Sequence, residues 1–148
     1  MLDNPLLHLT LFAGWTIFLL ILVELVRAWL MSVRGYAVTA FPSGERHGPE
    51  AYWRLYRAQA NCLEFLPMYG AVIGVLAVSG APIPPLFTLA SLVIVVVRPL
   101  QSLVHITSTG ALAIRMRASL FLLQLSALAF MCWLAVDALL SLQIQGPS

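Results

Sequence analysis

Charge is scarce in this chain. Asp, Glu, Lys and Arg make up 9% of its 148 residues, where a soluble domain carries about 25% because its surface must face water. Lysine is missing altogether, so the eight basic residues are all arginine. The formal charge of +2 is small and dispersed, which excludes the concentrated basic field that a nucleic-acid partner requires. Only two cysteines occur, Cys62 and Cys132, and both fall within apolar stretches. That argues against a disulfide framework, and two thiols with no histidine cluster make no metal site. Both are read as packing groups. Neither an internal repeat nor a low-complexity tract is present.

What the chain has in abundance is apolar surface. Hydrophobic residues make up 61% of it and the mean hydropathy is +0.93, so its solvent is lipid. The length suits one domain over residues 1–148. Four apolar runs approach the ~20 residues that a helix needs to cross the hydrocarbon core. They extend from Leu6 to Met31, Ala51 to Val78, Leu86 to Ile106 and Ala118 to Leu142. The runs are continuous and do not alternate, which predicts helices and not a barrel. The first run has no basic start and is too long for a secretory leader, so it is read as a membrane helix. The expected fold is an all-α membrane protein, a bundle of four transmembrane helices.

The connections give the orientation. The first, Phe41-Pro-Ser-Gly-Glu-Arg-His-Gly-Pro-Glu50, is the only long polar segment. Its ending places proline and an acid where a helix begins. The second, Ser79-Gly-Ala-Pro-Ile-Pro-Pro85, is uncharged and reads as a tight turn. Arg34, Arg46, Arg54 and Arg57 surround the first connection, and Arg115 and Arg117 follow the third. The positive-inside rule then puts these two connections in the cytoplasm and both termini on the opposite side.

The second run holds the strongest functional signal. At about 100° per residue, Arg54, Arg57, Asn61 and Glu64 fall within ~80° of one another and form one polar stripe. An ionisable group at membrane depth costs roughly 2.5–3.5 kcal/mol on insertion scales, so such a stripe faces the bundle interior or a wet cavity. One reading pairs Arg57 and Glu64 with neighbouring helices to hold an oligomer together. The other is a site for a zwitterionic ligand, with arginines for carboxylates, a carboxylate for an ammonium and an amide for peptide-like groups.

The run Arg57-Ala-Gln-Ala-Asn-Cys-Leu-Glu-Phe-Leu-Pro67, preceded by Arg54-Leu-Tyr56, resembles the second-helix signature of the MAPEG family. These are the membrane-associated proteins in eicosanoid and glutathione metabolism, and the likeness is to their microsomal glutathione transferases. The resemblance implies a homotrimer of four-helix subunits, with glutathione bound between adjacent subunits near the cytoplasmic face. It assigns glutathione contacts to Arg57, Asn61 and Glu64, with Arg54 lining the same site. Arg98 matches a family arginine that contacts the peptide. His105, seven residues on, falls where catalytic relatives usually carry tyrosine. Arg34 resembles an arginine that closes the site from another helix. The family's thiol-activating arginine corresponds to Arg115 or, as the alternative, Arg117.

The implied activity is a glutathione-dependent transferase or peroxidase, with glutathione as co-substrate and a lipophilic molecule dissolved among the membrane lipids as its partner. A guanidinium beside the glutathione thiol stabilises the thiolate, which then attacks an electrophile or a hydroperoxide. Neither a protein-bound metal nor a covalent enzyme intermediate is needed. A non-catalytic member that binds lipid or presents it to a partner is the second reading, and a small transporter or channel the third.

Overall fold

The computed structural model describes residues 4–42 and 45–145. Four long helices account for most of them: α1 (Pro5–Arg34), α2 (Glu50–Ser79), α3 (Pro85–Thr107) and α4 (Ala111–Gln145). No strand occurs among the described residues. Each helix carries a window long and apolar enough to span a bilayer, with mean hydropathy between 1.7 and 2.3. At 1.5 Å per residue α1 and α2 are each ~45 Å long, which exceeds the ~30 Å hydrocarbon core. Their ends therefore reach the aqueous interface.

Local chemistry sets the helix ends. Asn4 caps α1 by accepting the Leu6 N–H at 2.9 Å, with Pro5 in the first turn. Gly35 ends α1 in the left-handed conformation, φ 70°, and its N–H reaches the Leu30 carbonyl. Prolines open α2 and α3, and Gly80 closes α2 at φ 73°. Pro67 and Pro99 lie inside α2 and α3, and both helices continue through them. Membrane helices tolerate such prolines because neighbouring helices, Ser and Thr side chains and local backbone adjustment re-satisfy the freed carbonyls.

The sequence-derived spans fall inside the observed helices, but α4 begins seven residues before the expected Ala118, at Ala111. Hydropathy marks the part of a helix that lipid covers, whereas hydrogen bonding continues into the interface. Arg115 and Arg117 thus belong to the opening turns of α4.

In the bundle α1 packs mainly on α2 and α3 mainly on α4, with α2 and α3 joining the pairs. One apolar cluster, built around Phe12, Phe65, Tyr69, Ile73, Phe87, Ile94 and Met131, fills the half nearer the termini. A second, built around Leu19, Val23, Leu30, Tyr52, Leu55 and Cys62, fills the half nearer the first connection. Large apolar side chains such as Ile17, Phe18, Leu25, Leu122 and Trp133 point outward. That is the inverse of a water-soluble surface and the expected arrangement for lipid or a neighbouring subunit.

The first connection is held by its own chemistry. His47 is buried among the rings of Phe41, Tyr52, Trp53 and Tyr56, at centroid distances between 5.1 and 5.8 Å. Its Nδ1 lies 2.7 Å from the Glu45 carbonyl. Gly48 has φ 66°, and a Cβ there would meet the Tyr52 ring at 2.8 Å, so only glycine fits without displacement. This packed connection brings the start of α2 against the end of α3.

Candidate functional site

The polar stripe of α2 surfaces at the end of the bundle where the first and third connections meet. Arg54 is half-buried, and its Nε donates to the Ile106 carbonyl at 2.9 Å. That carbonyl belongs to the last turn of α3, where a cation is favoured by the helix dipole and by the unpaired carbonyls. The Arg54 Nη1 also lies 3.8 Å from Glu50 Oε1, and Glu50 pairs with Arg46 of the connection. Arg54 therefore docks α2 onto α3 as well as facing the site.

Around this joint is a pocket of about 310 Å³ lined by Glu50, Trp53, Arg54, Arg57, His105, Ser108, Thr109 and Arg117. Three helices and one connection contribute. Ser108 ends α3 in an extended conformation, φ −129° and ψ 140°, which turns the chain so that α4 starts alongside. His105 is half-buried, and its Nδ1 has no hydrogen-bond partner among the described residues. Three guanidinium groups and an imidazole against one carboxylate make the pocket a receptor for anionic groups.

The structure places the other expected site residues as follows. Asn61 and Glu64 continue the stripe along α2, and Glu64 lies ~21 Å from the helix start at 1.5 Å per residue, well inside the hydrocarbon region. Arg57 and Glu64 are exposed on the single chain and Asn61 is half-buried. No side-chain hydrogen bond or ion pair to any of the three occurs among the described residues. Arg115 is exposed and does not line the pocket, whereas Arg117 does. Arg34 is exposed at the end of α1, its guanidinium 5.4 Å from the Trp29 ring centre. It lines a separate hollow of about 470 Å³ with Val26, Trp29, Tyr36 and Tyr52. The α2 residues of the two hollows point in nearly opposite directions, so one chain does not bring Arg34 and Arg57 to a single ligand.

Arg98 also lies apart from the pocket. It is 1% exposed, with its guanidinium carbon 4.3 Å from the Phe65 ring centre and 5.3 Å from that of Phe12. Its Nη1 donates to Gln101 Oε1 at 3.0 Å. A ring quadrupole on each side and one amide oxygen stabilise the cation away from water.

A family model matches residues 6–137, and it is that of the MAPEG family. The chain belongs to this family. The match covers α2 and α3 entirely, α1 from Leu6 and α4 as far as Asp137. Among curated proteins, none matches the chain. Membership in MAPEG gives the chain its setting, membrane-bound metabolism of glutathione and eicosanoids, and leaves the individual activity to the chemistry of the pocket.

Sequence reasoning did not single out four pocket residues. Glu50 lies within the same ~80° arc as Arg54 and Arg57, and Trp53 is just outside it, so the α2 period carried a signal for these two. Ser108 and Thr109 lie at the break between helices, where no period operates.

Proposed function

We propose that this MAPEG protein binds glutathione at the cytoplasmic face and activates its thiol for attack on lipophilic electrophiles or hydroperoxides. The observation that carries this reading is one polar pocket that gathers Arg54, Arg57, Arg117 and His105 at the head of the Asn61–Glu64 stripe. Glutathione has two carboxylates, one ammonium and two amides. Arg54 and Arg57 suit the carboxylates, Glu64 suits the ammonium and Asn61 suits an amide.

The thiol is the reacting group. Its reference pKa is ~8.5, so a minority is thiolate at neutral pH. A guanidinium within a few ångströms in a partly desolvated pocket stabilises the thiolate and enlarges that fraction. Between the two candidate arginines the lining of the pocket favours Arg117. In a transfer reaction the thiolate sulfur forms a bond to the electrophilic carbon, and the electron pair leaves on the displaced group or is protonated on the opened one. With a hydroperoxide, the thiolate sulfur bonds to the terminal oxygen as the O–O bond breaks, giving the glutathione sulfenic acid and an alkoxide that is protonated to the alcohol. A second glutathione thiolate then forms the disulfide as the hydroxyl takes a proton and leaves as water.

The pocket is completed by a second copy of the chain in this reading, most simply in a homotrimer. Arg34 reaches the ligand only from a neighbouring subunit, and Glu64, unpaired at membrane depth, needs a polar partner there. The alternative is a non-catalytic member that binds lipid or presents it to a partner.

A conjugation assay with a generic aromatic electrophile tests the reading. Activity should require glutathione, and a thiolate absorption band should develop on the protein below the pH at which free glutathione shows it. Absence of the band and of turnover would favour the non-catalytic alternative, and absence of glutathione binding would overturn the proposed function.

A further inference from the structure

Four groups of the bundle interior form a continuous polar chain that the pocket itself does not explain. Arg98 Nη1 donates to Gln101 Oε1 at 3.0 Å, and Gln124 Nε2 donates to the same oxygen at 3.0 Å. The other end of the Gln101 amide, Nε2, donates to the main-chain carbonyl of Arg117 at 3.2 Å. Gln124 Nε2 is also 3.0 Å from the Leu120 carbonyl, on its own helix. Arg98, Gln101 and Gln124 are all buried.

An amide in such a place has one orientation. Its oxygen meets two donors, one of them cationic, and its nitrogen meets a carbonyl. Flipping the amide would bring N–H against N–H and oxygen against oxygen, leaving buried groups unpaired. The contact lands in the second turn of α4, where the Arg117 carbonyl accepts it beside its helical partner. Arg117 is the one residue of α4 that lines the pocket.

From this we infer that Gln101, oriented by Arg98 and Gln124, is a positioning residue that clamps the start of α4 to α3 and so fixes where the Arg117 guanidinium sits. Gln101 touches no ligand in this assignment and acts through the backbone of Arg117. Its consequence for glutathione rests on the function proposed above, but the clamp itself does not.

The discriminating variant is Gln101→Glu. It keeps an oxygen for Arg98 and Gln124 and removes the side-chain donor to the Arg117 carbonyl. Two readouts on the full-length protein in detergent apply. In the first, hydrogen exchange measured by mass spectrometry should accelerate over residues 114–121, with the remainder of α4 unchanged. In the second, glutathione affinity by calorimetry should fall ~3–10-fold, the usual worth of one lost hydrogen bond. That loss should disappear when Gln101→Glu is made in an Arg117→Ala background, because the two then share one route.

Unchanged exchange over 114–121 would overturn the clamp, as would an equal loss of affinity in both backgrounds. A parent protein that binds no glutathione, with exchange still accelerated in the variant, would remove the ligand assignment and leave the clamp standing. If Gln101→Glu fails to fold, Gln124→Leu withdraws one of the two donors that orient the amide and must give the same local acceleration in milder form. Its failure to do so would count against the clamp.

Discussion

Each polar residue of the stripe removes a different partner when it is changed. Glu64→Gln abolishes the charge offered to an ammonium, and Arg57→Ala abolishes that offered to a carboxylate. A charge-assisted hydrogen bond contributes roughly 1.5–3 kcal/mol, so each variant should bind glutathione about 10–100-fold more weakly by calorimetry. Unchanged affinity in both, with the oligomer intact, would dismiss the assignment. Arg117→Ala should instead suppress the thiolate band and slow conjugation by much more than the ~3–10-fold it takes from binding, because a group acting on the developing thiolate contributes chiefly to the reactive state. Arg115→Ala is the comparison, since Arg115 is exposed away from the pocket. A reversed pattern would return the role to Arg115.

The helices were legible from hydropathy and the α2 stripe from its 100° period, because both depend on local order along one element. The choice between Arg115 and Arg117 depended on where α4 begins and how it rotates against α3, which no single-helix pattern contains. The Gln101 clamp was illegible for the same reason: its three partners lie on two helices. The loop between α1 and α2 shows the same dependence on packing. Gly48 and Gly80 share positive φ, but only at Gly48 would a Cβ meet another group, the Tyr52 ring at 2.8 Å. Gly80→Ala should therefore carry the conformational cost alone, about 1–2 kcal/mol, and Gly48→Ala that cost plus a clash. Thermal unfolding in detergent should show the larger loss for Gly48→Ala; equal losses would mean that the ring simply moves aside.

At the scale of the molecule, Arg34 and Arg57 lie in different hollows of one chain. A site shared between subunits predicts complementation. Arg34→Ala and Arg57→Ala oligomers should each lose binding, yet oligomers assembled from an equal mixture should regain about a quarter of the sites, those in which each neighbour supplies the intact arginine. No recovery on mixing would confine the site to one subunit. Mass measurement in a mild detergent, corrected for bound detergent, gives the copy number, and a stable monomer that binds glutathione fully would contradict the shared site.

The Arg98 cation between two rings has a consequence for how the protein is made. Phe12 and Phe65 belong to α1 and α2, and both precede α3 in the chain. When α3 leaves the ribosome, the two rings that receive its guanidinium are already in the membrane, and Gln101 accompanies it on the same helix. An arginine near the centre of a lone helix opposes insertion by roughly 2.5–3.5 kcal/mol. Integration of α3 should therefore be assisted by its predecessors. In a translation assay with glycosylation reporters, α3 should insert less completely when α1 and α2 are deleted. Arg98→Leu should restore it without them, making the order of synthesis part of what lets a buried cation exist here.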